Sequence, residues 1–241
     1  MWKKTLLAAL FLLVCLSGAQ AAEYDGFYDN ATAASLKPFA RDLGGLLGAG
    51  SNQTARSLGF SGFDIGLRAA AQLKPSHNNS ILKPNSVFGL GLVQGEIGMP
   101  YRIDGFVRGG KYEGLAVAGG GLRYGLWNVS DEKYKINAML VMMGNMAAHK
   151  YFYALHFNTS VVCSINVPGV VPYLGVGFDS TRLEAQTVSG VGTVAPGTTV
   201  SVFEPRYTAG LRVKLDLGYF AGGATYTHDR MLFNASTGIR F

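Results

Sequence analysis

From residue 61 onward apolar and polar side chains alternate. Phe63, Ile65, Leu67, Ala69, Ala71 and Leu73 form one series and Asp64, Gly66, Arg68, Ala70, Gln72 and Lys74 the other, the period-two signature of a strand whose faces meet different surroundings. The pattern returns late in the chain, where Tyr207, Ala209, Leu211, Val213 and Leu215 oppose Thr208, Gly210, Arg212, Lys214 and Asp216. Less tidy segments of the same kind are expected near 86–97, 101–109, 112–127, 134–146, 150–164 and 170–184, then 200–216, 218–228 and 232–241. With 61–74 they make about ten strands, eight being the second choice. The phase breaks at Gly119-Gly120-Gly121 and between Thr159 and Val162, where bulges or bends are expected.

Residues 23–60 have a different rhythm. Leu36, Phe39, Ala40, Leu43, Leu46 and Leu47 recur at helical spacing and Gly48 ends the run, which predicts a short amphipathic helix with Pro38 in its first turn. Gly44-Gly45 and Gly48-Ala-Gly50 permit close backbone approach, so the helix is expected inside a barrel or at its mouth.

Composition turns these strands toward a membrane. Charged residues are 15% of the chain, against about 25% in an ordinary soluble domain, while Gly reaches 33 residues and aromatics 12%. No apolar run after the first 22 residues is long enough for a helical span. An Arg or Lys facing lipid at mid-bilayer costs roughly 2 to 4 kcal/mol, so the apolar face must point outward and the polar face inward. Fully soluble secretion, with the alternation belonging to a sandwich, is the minor rival. The formal net charge of +6 falls to +4 without Lys3 and Lys4. That excess carries no basic run of the nucleic-acid type, so nucleic-acid binding is excluded. Cys163 would remain alone and is expected to be a buried small hydrophobe.

The two ends of the sequence agree with this reading. Lys3 and Lys4 precede an apolar run from Leu6 to Leu16 and the small-x-small site Ala19-Gln20-Ala21, so residues 1–22 read as a cleaved export signal. The final stretch, Phe233 to Phe241, alternates and ends on an aromatic residue, with Ile239 and Phe241 on one face. This ending resembles the C-terminal signal of bacterial outer-membrane β-barrel proteins. The resemblance implies residence in the bacterial outer membrane, contact with its lipids, insertion by the barrel-assembly machinery, and Ile239 and Phe241 as the membrane-insertion signal. With Phe241 at the periplasmic side, alternate counting puts the long linkers 75–86 and 185–199 outside, as such barrels require. An even strand number is thereby favoured. The expected fold is all-β: a transmembrane antiparallel up-and-down β-barrel over residues 61–241, behind a periplasmic or lumenal leader over 23–60.

Candidate chemistry is sparse. His77, His149 and His228 fall in or near external loops and read as solvated; no spacing forces a serine against an imidazole. Neither paired Cys nor His-Glu-x-x-His is present, and His149 and His156 on one continuous strand would face opposite ways, so neither catalytic nor metal residues are assigned. Gly89-Leu-Gly91 and Gly175-Val-Gly177 lack the third glycine and helix of a phosphate loop, so no cofactor is expected. The constellation that does emerge is ionic. Asp64, Arg68, Arg102, Asp104, Arg108, Arg123, Arg212, Lys214, Asp216 and Arg240 fall on predicted lumen-lining positions, and most are basic. Such a lining favours small anionic solutes as partners, although ten strands enclose little more than packed side chains. Tyr101, Tyr112, Tyr124, Trp127, Tyr134, Tyr151, Tyr153, Tyr173, Tyr219 and Tyr226 fall near strand ends, as interfacial girdles require.

The function that follows is an integral outer-membrane barrel serving as a small pore or solute carrier with a basic lumen. A structural or surface-interaction protein without an open channel is the first alternative, and a barrel enzyme acting on outer-membrane lipid is the second.

Overall fold

The computed structural model describes residues 24–128, 130, 132–186 and 194–241. The export signal therefore lies outside the described residues, as does part of the 185–199 linker. Ten strands close one antiparallel barrel: β1 (Phe63–Gln72), β2 (Phe88–Gly98), β3 (Ile103–Tyr112), β4 (Leu115–Gly125), β5 (Ile136–His149), β6 (Phe152–Ile165), β7 (Val170–Ala185), β8 (Thr199–Lys214), β9 (Gly218–Thr227) and β10 (Arg230–Arg240). Each strand pairs with its neighbours in sequence, and β1 pairs with β10 to shut the ring. The seam runs from Asp64↔Arg240 to Gln72↔Leu232, and Phe63 and Phe241 exchange backbone bonds of 3.0 and 2.8 Å. Closure leaves no edge, so every strand's backbone groups find partners without water.

The even positions of β1 point inward, as the alternation predicts: Asp64, Gly66, Arg68, Ala70 and Gln72 are buried, while Phe63 and Ile65 are exposed. All around the barrel the outer face is apolar. Val107, Leu122, Met142, Phe157, Val161, Leu174, Val176, Phe178, Phe203, Leu211 and Phe233 all lie exposed on it. A water-soluble protein rarely exposes so continuous an apolar surface, and a bilayer is the solvent that suits it. Cys163 also lies on this outer face, exposed rather than buried, because it shares the phase of Val161 and Ile165.

Both ends of the barrel sequence lie at one end of the cylinder, here the terminal end, with the connections 99–102, 126–135, 166–169 and 215–217. The opposite, long-loop end carries the connection 73–87, the described ends of the β7–β8 connection and three two-residue turns. Two of these, Glu113-Gly114 and His228-Asp229, have positive φ at both positions, the backbone of a hairpin turn that matches strand twist.

Glycines 119–121 do not form a bulge. They pair in unbroken register with Asn145, Gly144 and Met143, and a Cβ on Gly121 would stand 2.8 Å from the Phe106 ring. They are sites of close packing. Residues Thr159 to Val162 likewise keep strict alternation; the apparent break arose because Val162 is apolar yet faces inward.

The leader occupies the lumen. A short helix α1 (Gly26–Asn30) sits at the long-loop end and is followed by α2 (Ala33–Gly48), which packs against β6, β7 and β8 and touches β1 and β2. Thr32 begins α2 with a capping box, its side chain accepting from Ser35 N at 3.2 Å while Ser35 Oγ accepts from Thr32 N at 2.9 Å. This cap starts the helix early, so Pro38 falls in the second turn rather than the first. The chain then descends as irregular backbone to the terminal end, where it turns into β1. Leu36, Phe39, Leu43, Leu46 and Leu47 are each 1% exposed or less. At about 1.5–3 kcal/mol per buried side chain, these five contribute on the order of 10 kcal/mol to holding the helix in place.

Candidate functional site: a plugged lumen

Inside the barrel three layers can be followed from the long-loop end downward. The first is apolar and then polar around Asp42. Tyr24, Phe27, Phe39 and Phe152 make edge and tilted ring contacts with centroids 5.0 to 6.3 Å apart, and His149 lies tilted against Phe152 at 5.1 Å. Below them Asp42 projects from α2 and is fully buried. It accepts from Ser76 Oγ at 2.6 Å, Ser76 N at 2.8 Å, Asn79 Nδ2 at 2.6 Å and Gln72 Nε2 at 2.7 Å, with His228 Nε2 at 3.2 Å. Burial raises the Asp42 carboxyl, but the bonds from His228, Ser76 and Asn79 outweigh it and hold the group below its ordinary value of 3.8.

These are residue types that catalyse acyl transfer elsewhere, arranged differently. Ser76 donates to the aspartate itself and not to the imidazole, so the serine–histidine contact of an acyl-transfer triad is absent from this cluster. The cluster ties helix, loop and hairpin together. His228 and His149 are thus buried instead of solvated, since α1 and α2 cover them from within. His149 and His156 both face inward because they lie on two neighbouring strands, not one. His77 is exposed, its ring Nδ1 beside Asn78.

The second layer meets the end of α2. A helix finishes with backbone carbonyls that lack partners and with a partial negative charge, both suited to cations. Arg206 donates to Gly45 O at 2.8 Å and to Asp179 Oδ2 at 2.7 Å. Arg108 donates to Ala49 O at 3.2 Å, to Asn145 Oδ1 at 2.8 Å and to Leu47 O, which also accepts from Asn145. Glycines make the approach possible: a Cβ on Gly44 would stand 2.2 Å from Thr181 Oγ1, and one on Gly48 would meet the Arg206 guanidinium at 2.3 Å. His156 is sealed behind them, with Thr181 Oγ1 at 2.9 Å and Asp179 at 3.6 Å.

The third layer is an ionic network. Glu96 accepts from Arg123 at 2.5 Å and Arg68 at 3.1 Å, and Arg68 also reaches Asp64 at 3.5 Å. Gln94 adds a bond to Glu96 at 2.7 Å, Tyr219 donates to Asp64 at 2.8 Å, and Arg123 reaches the Ser51 carbonyl. Asp104 receives Ser57 Oγ at 2.8 Å and Leu58 N at 3.0 Å, anchoring the descending leader.

Of the residues expected to line the lumen, Asp64, Arg68, Asp104, Arg108, Arg123 and Arg212 are buried within it, and Arg240 is half-buried at its terminal end. Lys214 and Asp216 are exposed and line the mouth instead. Arg102 is not in the lumen. Tyr101 and Arg102 both adopt positive φ in the β2–β3 connection, which puts the guanidinium over the outward ring of Tyr124 at 5.4 Å and within 3.0 Å of its hydroxyl. Tyr173 and Tyr219 leave the expected girdle, because both occupy inward phases and lie at most 2% exposed. Tyr101, Trp127, Tyr134 and Phe241 are exposed near the terminal end as expected.

Sequence reasoning passed over Asp42, Glu96, Asp179 and Arg206. Arg206 was within reach, since it continues the phase of Thr208, Gly210 and Arg212. Glu96 shares its phase with Gln94 but also with Phe88, Leu90 and Leu92, apolar residues buried with α2, so the polar face of β2 is interrupted and does not betray it.

Neither a family model nor a curated protein matches the chain. Solved structures similar to it are membrane-type barrels at low identity. The N-terminal β-barrel domain of Pseudomonas aeruginosa OprF is 9% identical, with a TM-score of 0.38 over 76% of this chain and 99% of that one. Ail, the attachment invasion locus protein of Yersinia pestis, in complex with the heparin analogue sucrose octasulfate, is 14% identical, with a TM-score of 0.36 and the same coverage. Neisserial surface protein A is 12% identical, with a TM-score of 0.32 over 74% of this chain and 95% of that one.

Proposed function

We propose that this chain is an integral outer-membrane protein whose barrel is held shut by its own N-terminal segment and which serves as a surface-exposed anchor, neither an open pore nor an enzyme. The observation that carries this reading is the occupied lumen. Helix α2 fills the long-loop half with apolar packing, and the arginines below it are engaged by Glu96, Asp179 and the carbonyls of Gly45, Leu47 and Ala49. A cation committed to a carboxylate or a helix end is not an open lining for passing anions, so a continuous basic channel is not the favoured reading.

The outward apolar belt supports residence in lipid, and the tendency of such barrels toward long external loops and short periplasmic turns favours the long-loop end as the outer one. Ile239 and Phe241 face outward, a position compatible with recognition as an insertion signal. On this orientation residues 24–32 lie at the same end as the 73–87 connection, toward the cell surface. The test is electrical. Purified full-length protein in a planar bilayer is expected to give no discrete conductance steps, while residues 75–86 are accessible to labelling on intact cells. Regular steps from the intact chain would overturn the closed reading.

A further inference from the structure

Below the ionic network the terminal end opens into a cavity of about 510 Å³. Arg212, Arg240, Lys214, Asn137 and Asn166 contribute to its lining, and Asp216 stands at its edge. Its size is within the range of small-molecule sites, roughly 300–1,000 Å³.

Two of its cations differ from the four buried arginines above them. Arg68, Arg108, Arg123 and Arg206 each reach a carboxylate or the end of α2. Among the described residues Arg212 and Arg240 form no ion pair. Arg212 is only 5% exposed, its guanidinium carbon stands 3.9 Å from the centre of the Tyr219 ring, and its buried Nε finds no acceptor. Arg240 donates to the Ser57 carbonyl at 3.0 Å. The nearby carboxylate of Asp64 is already taken by Arg68 and the Tyr219 hydroxyl. A guanidinium whose carboxylate neighbours are engaged elsewhere keeps donors to spare, and its planar fork of donors matches a phosphate or carboxylate. Asn137 stands on the same wall, whereas Asn166 is occupied, donating to the Glu132 carbonyl at 2.9 Å and accepting from Lys214.

We propose that this mouth is a binding site for a phosphate-bearing anion, with Arg212 and Arg240 as its principal contacts and Lys214 at its rim. The plug closes the site from above, so the ligand enters and leaves at the terminal end. It binds there without crossing the barrel. The phosphate comes either from a soluble compound or from a lipid headgroup of the adjoining leaflet.

Full-length protein in zwitterionic detergent micelles would be titrated calorimetrically with inorganic pyrophosphate and, separately, with micelles carrying short-chain phosphatidylglycerol. Saturable binding of either probe, weakened at least tenfold in Arg240→Gln and in Arg212→Gln and unchanged in Arg41→Gln at the other end, is expected. The probe that saturates identifies the source. Lys214→Gln, at an exposed position, is expected to weaken binding about threefold and guards against a folding defect in Arg212→Gln. Retained heat-dependent gel migration certifies each variant as folded. Binding of neither probe, or binding indifferent to Arg240→Gln and Lys214→Gln, would overturn the assignment. Silent conductance with lost binding leaves this site refuted and the closed-barrel reading intact.

Discussion

The Asp42 carboxylate on the plug helix lies 3.2 Å from Nε2 of His228 in the β9–β10 turn, and both side chains are almost fully buried. Helix and barrel wall meet there around one buried carboxylate that neither segment encloses alone. Ser76, Asn79 and Gln72 complete the same carboxylate's shell, so one residue collects the helix, the first long connection, strand β1 and a hairpin.

Acid should loosen this joint. Asp42 is depressed below 3.8 in the folded protein, so its contribution is fully present above that value and is lost as pH falls through the lower, folded one. The apparent Tm in detergent is expected to stay level from pH 6 to about 4.5 and to drop below pH 4, with Asp42→Asn showing a smaller drop. Identical acid profiles for the two proteins would remove Asp42 as the cause.

Truncation of the same residue leaves its donors buried without an acceptor. Asp42→Ala is expected to cost roughly 3–5 kcal/mol, as for one partner of a buried charged pair. Hydrogen exchange of residues 33–48 is the measurement, and protection unchanged from the parent protein would contradict the role given to this carboxylate.

Helix α2 approaches β7 closely enough to demand glycine. In Gly44→Ala the new Cβ meets Thr181 Oγ1, an overpacking expected to cost about 1–3 kcal/mol. Because the first obstacle is a side chain, Gly44→Ala combined with Thr181→Ala should recover most of the loss. A thermal-melt double-mutant cycle reads this directly, and additive effects would place the clash elsewhere.

Glu96 balances two arginines at once. Glu96→Ala strands Arg68 and Arg123 inside the barrel and is expected to destabilise by at least about 3 kcal/mol. Urea unfolding in lipid vesicles tests it; a change below about 1 kcal/mol would mean that the network contributes little.

The outer surface makes an independent prediction. Val176, 56% exposed near the middle of β7, faces the lipid, and Val176→Lys should cost roughly 2–4 kcal/mol in a bilayer. The same substitution would be nearly neutral on a water-facing sheet, so vesicle refolding distinguishes the two environments.

By itself the sequence determined the strands and their facing. Period two follows from local backbone geometry, and lipid outside with polar groups inside translates it into Asp64, Arg68 and Arg212 pointing inward and Ile65, Leu211 and Phe241 outward. A helix over Leu36 to Leu47 was equally legible, because its spacing is a local property too. Tertiary structure alone decided what fills the barrel. Once α2 enters the lumen, apolar residues such as Phe88, Leu90 and Phe152 are stable facing inward, and the two-faced pattern disappears from the strands they occupy. Asp42 meeting His228, and Arg206 meeting Gly45, join residues 186 and 161 positions apart. No periodicity encodes such contacts, for they arise only when the ring closes around the helix and each buried charge must find a partner within reach.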